Sequence, residues 1–280
     1  MNHVPLYAGC LLSLAAATTS YGAPTAPAHA AAHAQVQTPA HALPALSVDQ
    51  IVARNVAARG GLAAWHDAKT LTIAGDMDAG GKPNHTLPFV LKEKRPRKSR
   101  LEIVFKDQTS VQVYDGAQGW KVRPFLNRSD VETYTPAEMK SAAAEQDLDG
   151  PLVDYAAKGT QIALVGTEPV EGHPAYKLKL TLRNGDKRML WVDAASFLEL
   201  KIDGEPRKLD AKMHNVAVYF RDYKTEHGLT TPRLQETAIE GVKQTYKMTI
   251  SRVAVNEPLD DALFQKPQLA ALATPGPKKP

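Results

Sequence analysis

Beyond Lys69 apolar side chains fall on every second residue, and this alternation constrains the chain more than any other feature. Leu87, Phe89 and Leu91 are interleaved with Thr86, Val90 and Lys92; Leu101, Ile103 and Phe105 with Arg100, Glu102 and Lys106. Val111, Val113, Trp120 and Val122 continue the series. After an interruption it resumes at Leu178, Leu180 and Leu182, at Met189 and Trp191, and at Leu198, Leu200 and Ile202. It returns once more at Val216, Val218 and Phe220 and at Val242, Tyr246, Met248 and Ile250. Turn residues separate the runs: Asp78-Ala79-Gly80-Gly81, Asp115-Gly116, Asn184-Gly185-Asp186, Asp203-Gly204 and His227-Gly228. Period 2 with one apolar and one charged side specifies an antiparallel meander of roughly ten or eleven strands. A sheet that wide curls or closes.

Helical signals are few. Ser47 is placed as an N-cap with Gln50 three residues on, and Ile51, Val52, Asn55 and Val56 follow at helical spacing. Gly60-Gly61 stops that helix, Leu62 to Trp65 reads as a short second one, and Trp65 is expected to anchor the core. The interlude Ala137 to Gln146 is helical by propensity, with Pro136 near its start, and Leu152 to Ala157 adds a turn. So few helices cannot cover both faces of the sheet. The expected fold is mainly β with a few helices, a curved antiparallel sheet forming a half-open, unclosed β-barrel covered by helices.

The front of the chain is of another kind. No Asp, Glu, Lys or Arg precedes Asp49. Val4 to Thr18 has the length of a signal-peptide apolar core, and small residues follow at Ser20-Tyr21-Gly22 and Ala28-His29-Ala30. Residues 1–30 are expected to be a signal peptide cleaved at about residues 22–30, residues 31–46 an Ala/Pro/His linker, 47–267 the folded domain and 268–280 a disordered tail. A periplasmic location follows, with lipid anchoring or secretion as the alternatives. Cys10 follows Tyr7-Ala8-Gly9 but precedes Leu11-Leu12-Ser13-Leu14, where a lipidated chain would turn polar, so it is assigned to the discarded leader. As the single cysteine it also excludes a disulfide framework and any multi-cysteine metal site.

Chemistry-bearing motifs are absent: there is no G-x-S-x-G, H-E-x-x-H, G-x-G-x-x-G or P-loop. Asp76-Met77-Asp78-Ala79-Gly80-Gly81 opens like a calcium loop, yet its twelfth position is Leu87 where a glutamate is required, so it reads as a hairpin turn. Asp147-Leu148-Asp149-Gly150 reads as a loop. His29, His33 and His41 lack a partner carboxylate, and His66, His173, His214 and His227 are scattered. No catalytic residue, metal or cofactor is assigned. The net charge of +4 is too small for a nucleic-acid footprint. The basic run Lys92-Glu93-Lys94-Arg95-Pro96-Arg97-Lys98-Ser99-Arg100 reads as a hairpin tip, with docking to an anionic surface as the alternative. What remains is the apolar side of the alternation. Its candidate lining residues are Phe89, Leu91, Leu101, Ile103, Val111, Val113, Trp120, Leu178, Leu180, Trp191, Leu198, Leu200, Val218 and Phe220. Aliphatic walls suit a flexible acyl chain better than a planar ring system.

Four stretches together resemble the periplasmic outer-membrane lipoprotein-sorting, or LolA/LolB-like lipoprotein-carrier, superfamily. They are the opening helix from Val48-Asp49-Gln50-Ile51 to Gly60-Gly61-Leu62-Ala63-Ala64-Trp65; Val113-Tyr114-Asp115-Gly116 with Gly119-Trp120; Leu190-Trp191-Val192-Asp193 leading to Phe197-Leu198-Glu199-Leu200-Lys201; and Asp260-Asp261-Ala262-Leu263-Phe264 before Pro267. The resemblance implies a half-barrel whose apolar concavity shields the acyl chains of a lipoprotein or lipid, without chemistry, between membrane-bound donor and acceptor proteins. No binding residue carries over from it. The chain is expected to be a monomer. A lipid- or peptide-sensing domain of an envelope signalling system and an envelope hydrolase remain the alternatives.

Overall fold

The computed structural model describes residues 43–80, 85–126, 128–144 and 148–268. The signal-peptide region, most of the linker and all but the first residue of the tail lie outside these. The first helix, α1 (Val48–Ala58), begins with the expected capping box: the Ser47 hydroxyl accepts from the Gln50 amide, and the Gln50 side chain accepts from the Ser47 amide. It ends at Arg59, and Gly60 follows with φ 112°. A Cβ at Gly60 would lie 2.0 Å from the Gly228 carbonyl oxygen, so only glycine permits both the turn and the close approach. The second helix, α2 (Leu62–Asp67), buries Trp65 completely.

Six strands then run up and down: β1 (Thr70–Asp78), β2 (Thr86–Lys94), β3 (Lys98–Phe105), β4 (Gln108–Tyr114), β5 (Gly119–Arg123) and β6 (Arg128–Thr133). A third helix, α3 (Pro136–Ala144), and turns over 148–159 lead to a second series. This holds β7 (Gln161–Thr167), β8 (Ala175–Thr181), β9 (Lys187–Asp193) and β10 (Glu199–Asp203), then the hairpin β11 (Arg207–Leu209) and β12 (Lys212–His214). Next come β13 (Val216–Arg221), the hairpin β14 (Lys224–Glu226) and β15 (Leu229–Thr231), β16 (Leu234–Ile239) and β17 (Tyr246–Val255). A 3-10 helix, Asp261–Phe264, ends the described chain's regular structure.

Among the described residues thirteen strands form one antiparallel sheet in the order β6-β5-β4-β3-β2-β1-β17-β16-β13-β10-β9-β8-β7. The pairing of β1 with β17 joins the two series. The curved sheet is not closed into a barrel: β6 and β7, consecutive in the chain, are its two opposite edges. Their connection must therefore cross the open side, and it carries α3 and the 148–159 turns with it.

Register decides which face each side chain shares, because directly paired residues of an antiparallel ladder point the same way. Ile73 pairs with Leu91, Leu91 with Leu101 and Phe89 with Ile103; on the far side Leu178 pairs with Leu190, and Ile202 with Leu190 and Val218. These residues join Ile51 and Val52 of α1, Trp65 of α2 and Leu148, Leu152 and Val153 of the crossing turns in one core, which defines the inner face. Leu43 and Leu46, from the expected linker, already pack against it.

Six candidate lining residues sit elsewhere. Leu101 and Ile103 pair with Gln112 and Ser110, so Val111 and Val113, which pair with Glu102 and Arg100, face outward. Trp120 pairs with Val113 and faces outward as well. These three form a separate cluster with Phe264 of the C-terminal strap. Trp191 pairs with Lys177, opposite in parity to Leu178, and clusters outside with Val170, Ala175 and the half-buried Leu200. Alternation fixes parity within a strand but not which parity faces in. Across β4 and β5 the apolar parity is the outer one, because a strap covers it and polar residues line the inner side. Leu198, before β10, is half-buried and belongs to none of these clusters.

Candidate functional site

The remaining eight candidates, Phe89, Leu91, Leu101, Ile103, Leu178, Leu180, Val218 and Phe220, all lie in the inner-face core. None is more than 3% exposed. They form an aliphatic wall supplied by both halves of the sheet, and its cover is α1, α2 and the crossing turns rather than a second sheet. The helices sit on the wall itself and not at its rim, so an occupant would take the place of Ile51, Val52, Trp65, Leu152 and Val153.

The cover is fixed by a buried polar network that the alternation gave no means of finding. Arg59, 1% exposed, donates through Nη1 to the Asp149 carbonyl oxygen at 2.8 Å, lies 3.5 Å from the fully buried Glu199 carboxylate, and stacks over the Trp65 ring at 4.4 Å. The Trp65 indole N–H donates to the Arg59 carbonyl at 3.1 Å. Arg95, from the β2–β3 turn, donates to the carbonyls of Trp65 and Ala68, each at 3.0 Å, and to the Asp149 carboxylate at 2.7 Å. Lys158 binds the other Asp149 oxygen, and the Tyr223 hydroxyl donates to the Glu199 carbonyl at 2.9 Å. Both helices, the crossing turns and the sheet are thus tied at one place by charges. Such a tie is specific in geometry and weak in net stability, since desolvation offsets much of the attraction. At the surface of the same cover, His66 meets Asp154 at 2.5 Å and the Tyr155 hydroxyl donates to Asp49 at 2.8 Å.

A second buried pair holds α3. Lys121, on the inner side of β5, donates to both Glu138 oxygens at 2.5 Å, and the Thr135 amide and hydroxyl donate to the same carboxylate. Burial alone would raise the Glu138 pKa, but Lys121 and Thr135 outweigh it and hold the carboxyl below its ordinary value. Gly119 supports the same corner, for a Cβ there would strike the Tyr134 ring at 1.8 Å.

One polar group on the inner face has no such support. Gln235 of β16 pairs with Phe220 and Met248, is 2% exposed, and has neither amide atom hydrogen-bonded among the described residues. A buried primary amide left without a partner costs about 1–3 kcal/mol.

The other sequence features are structural. Every cation of the basic run has a partner within the chain: Lys94 and Lys98 hold Asp261, at 3.1 and 2.8 Å, Arg100 and Lys92 hold Glu102, Arg95 enters the network above, and Arg97 donates to the Ala143 carbonyl. The run is a hairpin turn that clasps the C-terminal strap and the cover. Asp76 and Asp78 belong to β1, and Asp78 accepts from the Lys247 amide. A cleft of about 650 Å³ opens where that strap leaves β17, lined by Lys69, Lys94 and Leu259 among others. Both lysine ammonium groups there are engaged, Lys69 by the His66 carbonyl and Lys94 by Leu259 and Asp261. Among the described residues no three His, Cys, Asp or Glu side chains gather as a metal site, and no helix is long and apolar enough to cross a membrane.

The class defined by this architecture is the LolA-like half-barrel. A LolA superfamily protein from Nitrosomonas europaea is similar over 79% of this chain and 99% of that one, with 15% identity and a TM-score of 0.52. A domain from Vibrio parahaemolyticus assigned to outer-membrane lipoprotein sorting covers 80% of this chain and 97% of its own length, at 14% identity and a TM-score of 0.52. A DUF1329 family protein from Desulfovibrio piger gives 18% identity and a TM-score of 0.55 over 80% of this chain and 98% of that one. At such identities the likeness is one of fold. No family model matches the chain, and no curated protein does.

Proposed function

We propose that the protein is a non-catalytic carrier of acyl chains. It receives a lipid or the lipid-modified end of a lipoprotein against the inner face, and carries it through the periplasm toward the outer membrane. The observation that carries this reading is the aliphatic wall roofed by helices that charges, not a second sheet, hold in place. Burying one methylene is worth about 0.8 kcal/mol, so a sixteen-carbon chain gains on the order of 12 kcal/mol before costs. That is comparable with the roughly 8–15 kcal/mol by which Ile51, Val52, Trp65, Leu152 and Val153, at about 1.5–3 kcal/mol each, hold the cover on the wall, so cargo and cover can exchange. The Gln235 amide then supplies a hydrogen bond to an ester or amide carbonyl, so the cargo is an acylated molecule rather than a hydrocarbon. The solved neighbour assigned to lipoprotein sorting supports this choice of cargo at the level of fold.

The test is native mass spectrometry of protein purified without detergent, read for co-purified lipid. Leu180→Asn, on the wall, abolishes retention. Leu200→Asn, on the outer face, leaves it intact while both variants keep the β-sheet circular dichroism of the parent. Equal retention in the two variants would overturn the assignment of the inner face as the site.

A further inference from the structure

The two edges of the thirteen-stranded sheet are treated differently. An edge strand exposes unpaired N–H and C=O groups, and proteins ordinarily blunt it with charge, proline, a bulge or a cover. Edge β6 is blunted by Arg128, Asp130 and Glu132. Edge β7 reads Gln-Ile-Ala-Leu-Val-Gly-Thr, with no charge and no proline in seven residues. Six of the seven are exposed, Leu164 at 39% and Val165 at 52%, and these are two of the few large apolar side chains exposed among the described residues. β7 does carry a bulge: its register with β8 shifts between Leu164 and Gly166, and Val165 has no cross-strand partner on its own sheet.

We infer that β7 is a pairing edge for a second copy of this chain. Strand addition to this edge calls for an uncharged, apolar strand of the same length, and β7 is its own complement. With a two-fold axis through Leu164, the antiparallel pairing sets Leu164 against Leu164, Ala163 against Val165, Ile162 against Gly166 and Gln161 against Thr167. No charge meets a charge and each apolar residue meets an apolar or small one. Leu164 shares the parity of Leu178, so the contact carries the inner face of one protomer across to its partner. It departs from the sequence-based expectation of a monomer and is independent of what the inner face binds.

Sedimentation equilibrium of the delipidated protein tests the inference, so that its failure leaves the acyl-chain reading untouched. The wild type forms a dimer with Kd on the order of micromolar. Val165→Lys weakens it by roughly tenfold or more, and Ser129→Lys on β6 leaves it unchanged. In a Cys10→Ser background, where the introduced thiol is the only one, oxidised Leu164→Cys gives a cross-linked dimer even if the lysine variant fails to fold. A wild type that stays monomeric through the hundred-micromolar range, on the order of the weakest specific interfaces, overturns the proposal. So does a dimer that Val165→Lys leaves intact, or the absence of a cross-link in the oxidised Leu164→Cys variant.

Discussion

Gln235 and Arg59 are both buried polar residues, and they make opposite predictions. Gln235 sits between Phe220 and Met248 with neither amide atom hydrogen-bonded among the described residues, so its amide costs stability. Gln235→Met keeps the volume and removes that cost. Its unfolding midpoint in urea should rise by the equivalent of about 1 kcal/mol or more, while affinity for an acyl ester falls and affinity for an alkane of equal length does not. Loss of stability in this variant would show that the amide has a partner and that its ligand role is wrong. Arg59 is surrounded by a carbonyl, a carboxylate and an indole ring, and its removal leaves the Glu199 carboxylate, fully buried, without its cation. Arg59→Met should therefore cost about 3–5 kcal/mol, and adding Glu199→Gln should recover most of it. Additive losses in the double variant would mean that the two groups do not interact. Neither residue announced itself in the sequence, since a lone Arg after a helix and a Glu within a strand look like surface charges until a fold brings them together.

At the scale of elements, the α1 capping box, the glycine stop and most of the strands were legible, because each is written in residues a few positions apart; β1, β6, β7 and β16 were not among the alternating runs, and the main sheet has thirteen strands rather than ten or eleven. The face presented by β4 and β5 was not. Val111, Val113 and Trp120 have the right period, but the cover that sets their side is Phe264, about 150 residues later in the chain. The α3 corner shows the same dependence on distant partners. Its helix has weak amphipathy, with Ala142 and Met139 packed on Tyr114 and Tyr134, so the Lys121–Glu138 pair carries much of its attachment. The Glu138 pKa is lower in the folded protein than in the unfolded chain, so the group stabilises at neutral pH. That contribution is complete above the ordinary glutamate value of about 4.3 and is lost as pH falls through the lower folded value. Hydrogen exchange should accordingly show α3 losing protection on acidification below about pH 4, ahead of the β1–β17 ladder. The variant Glu138→Gln should give α3 low protection at every pH. Protection of α3 that tracks the central strands through the acid range would sever the link between this pair and the crossing connection.

For the whole molecule, the alternation was enough to specify a curved sheet with one greasy face, but a simple meander would set β6 beside β7; it is the pairing of β1 with β17 that sends those two strands to opposite edges and makes their connection cross. A helical cover was expected too; what the alternation could not specify was how deep it sits, with Ile51, Val52, Trp65 and the crossing turns packed into the inner-face core. The pattern that marks Leu101 and Leu180 for burial is blind to what buries them. If the cover is exchanged for cargo, the three tryptophans of the chain report it, because they divide between the faces. Trp65 lies under the cover, fully buried in the inner core, whereas Trp120 and Trp191 belong to the outer clusters. With Trp120→Phe and Trp191→Phe in place, Trp65 is the sole emitter. A fatty acyl ester brominated along its chain should then quench Trp65 strongly, since bromine acts only near contact. In the converse variant, Trp65→Phe, the same ligand should leave Trp120 and Trp191 emission nearly unchanged. Quenching restricted to the outer tryptophans would place the acyl chain on the wrong side of the sheet and remove the reason for the helical cover to move at all.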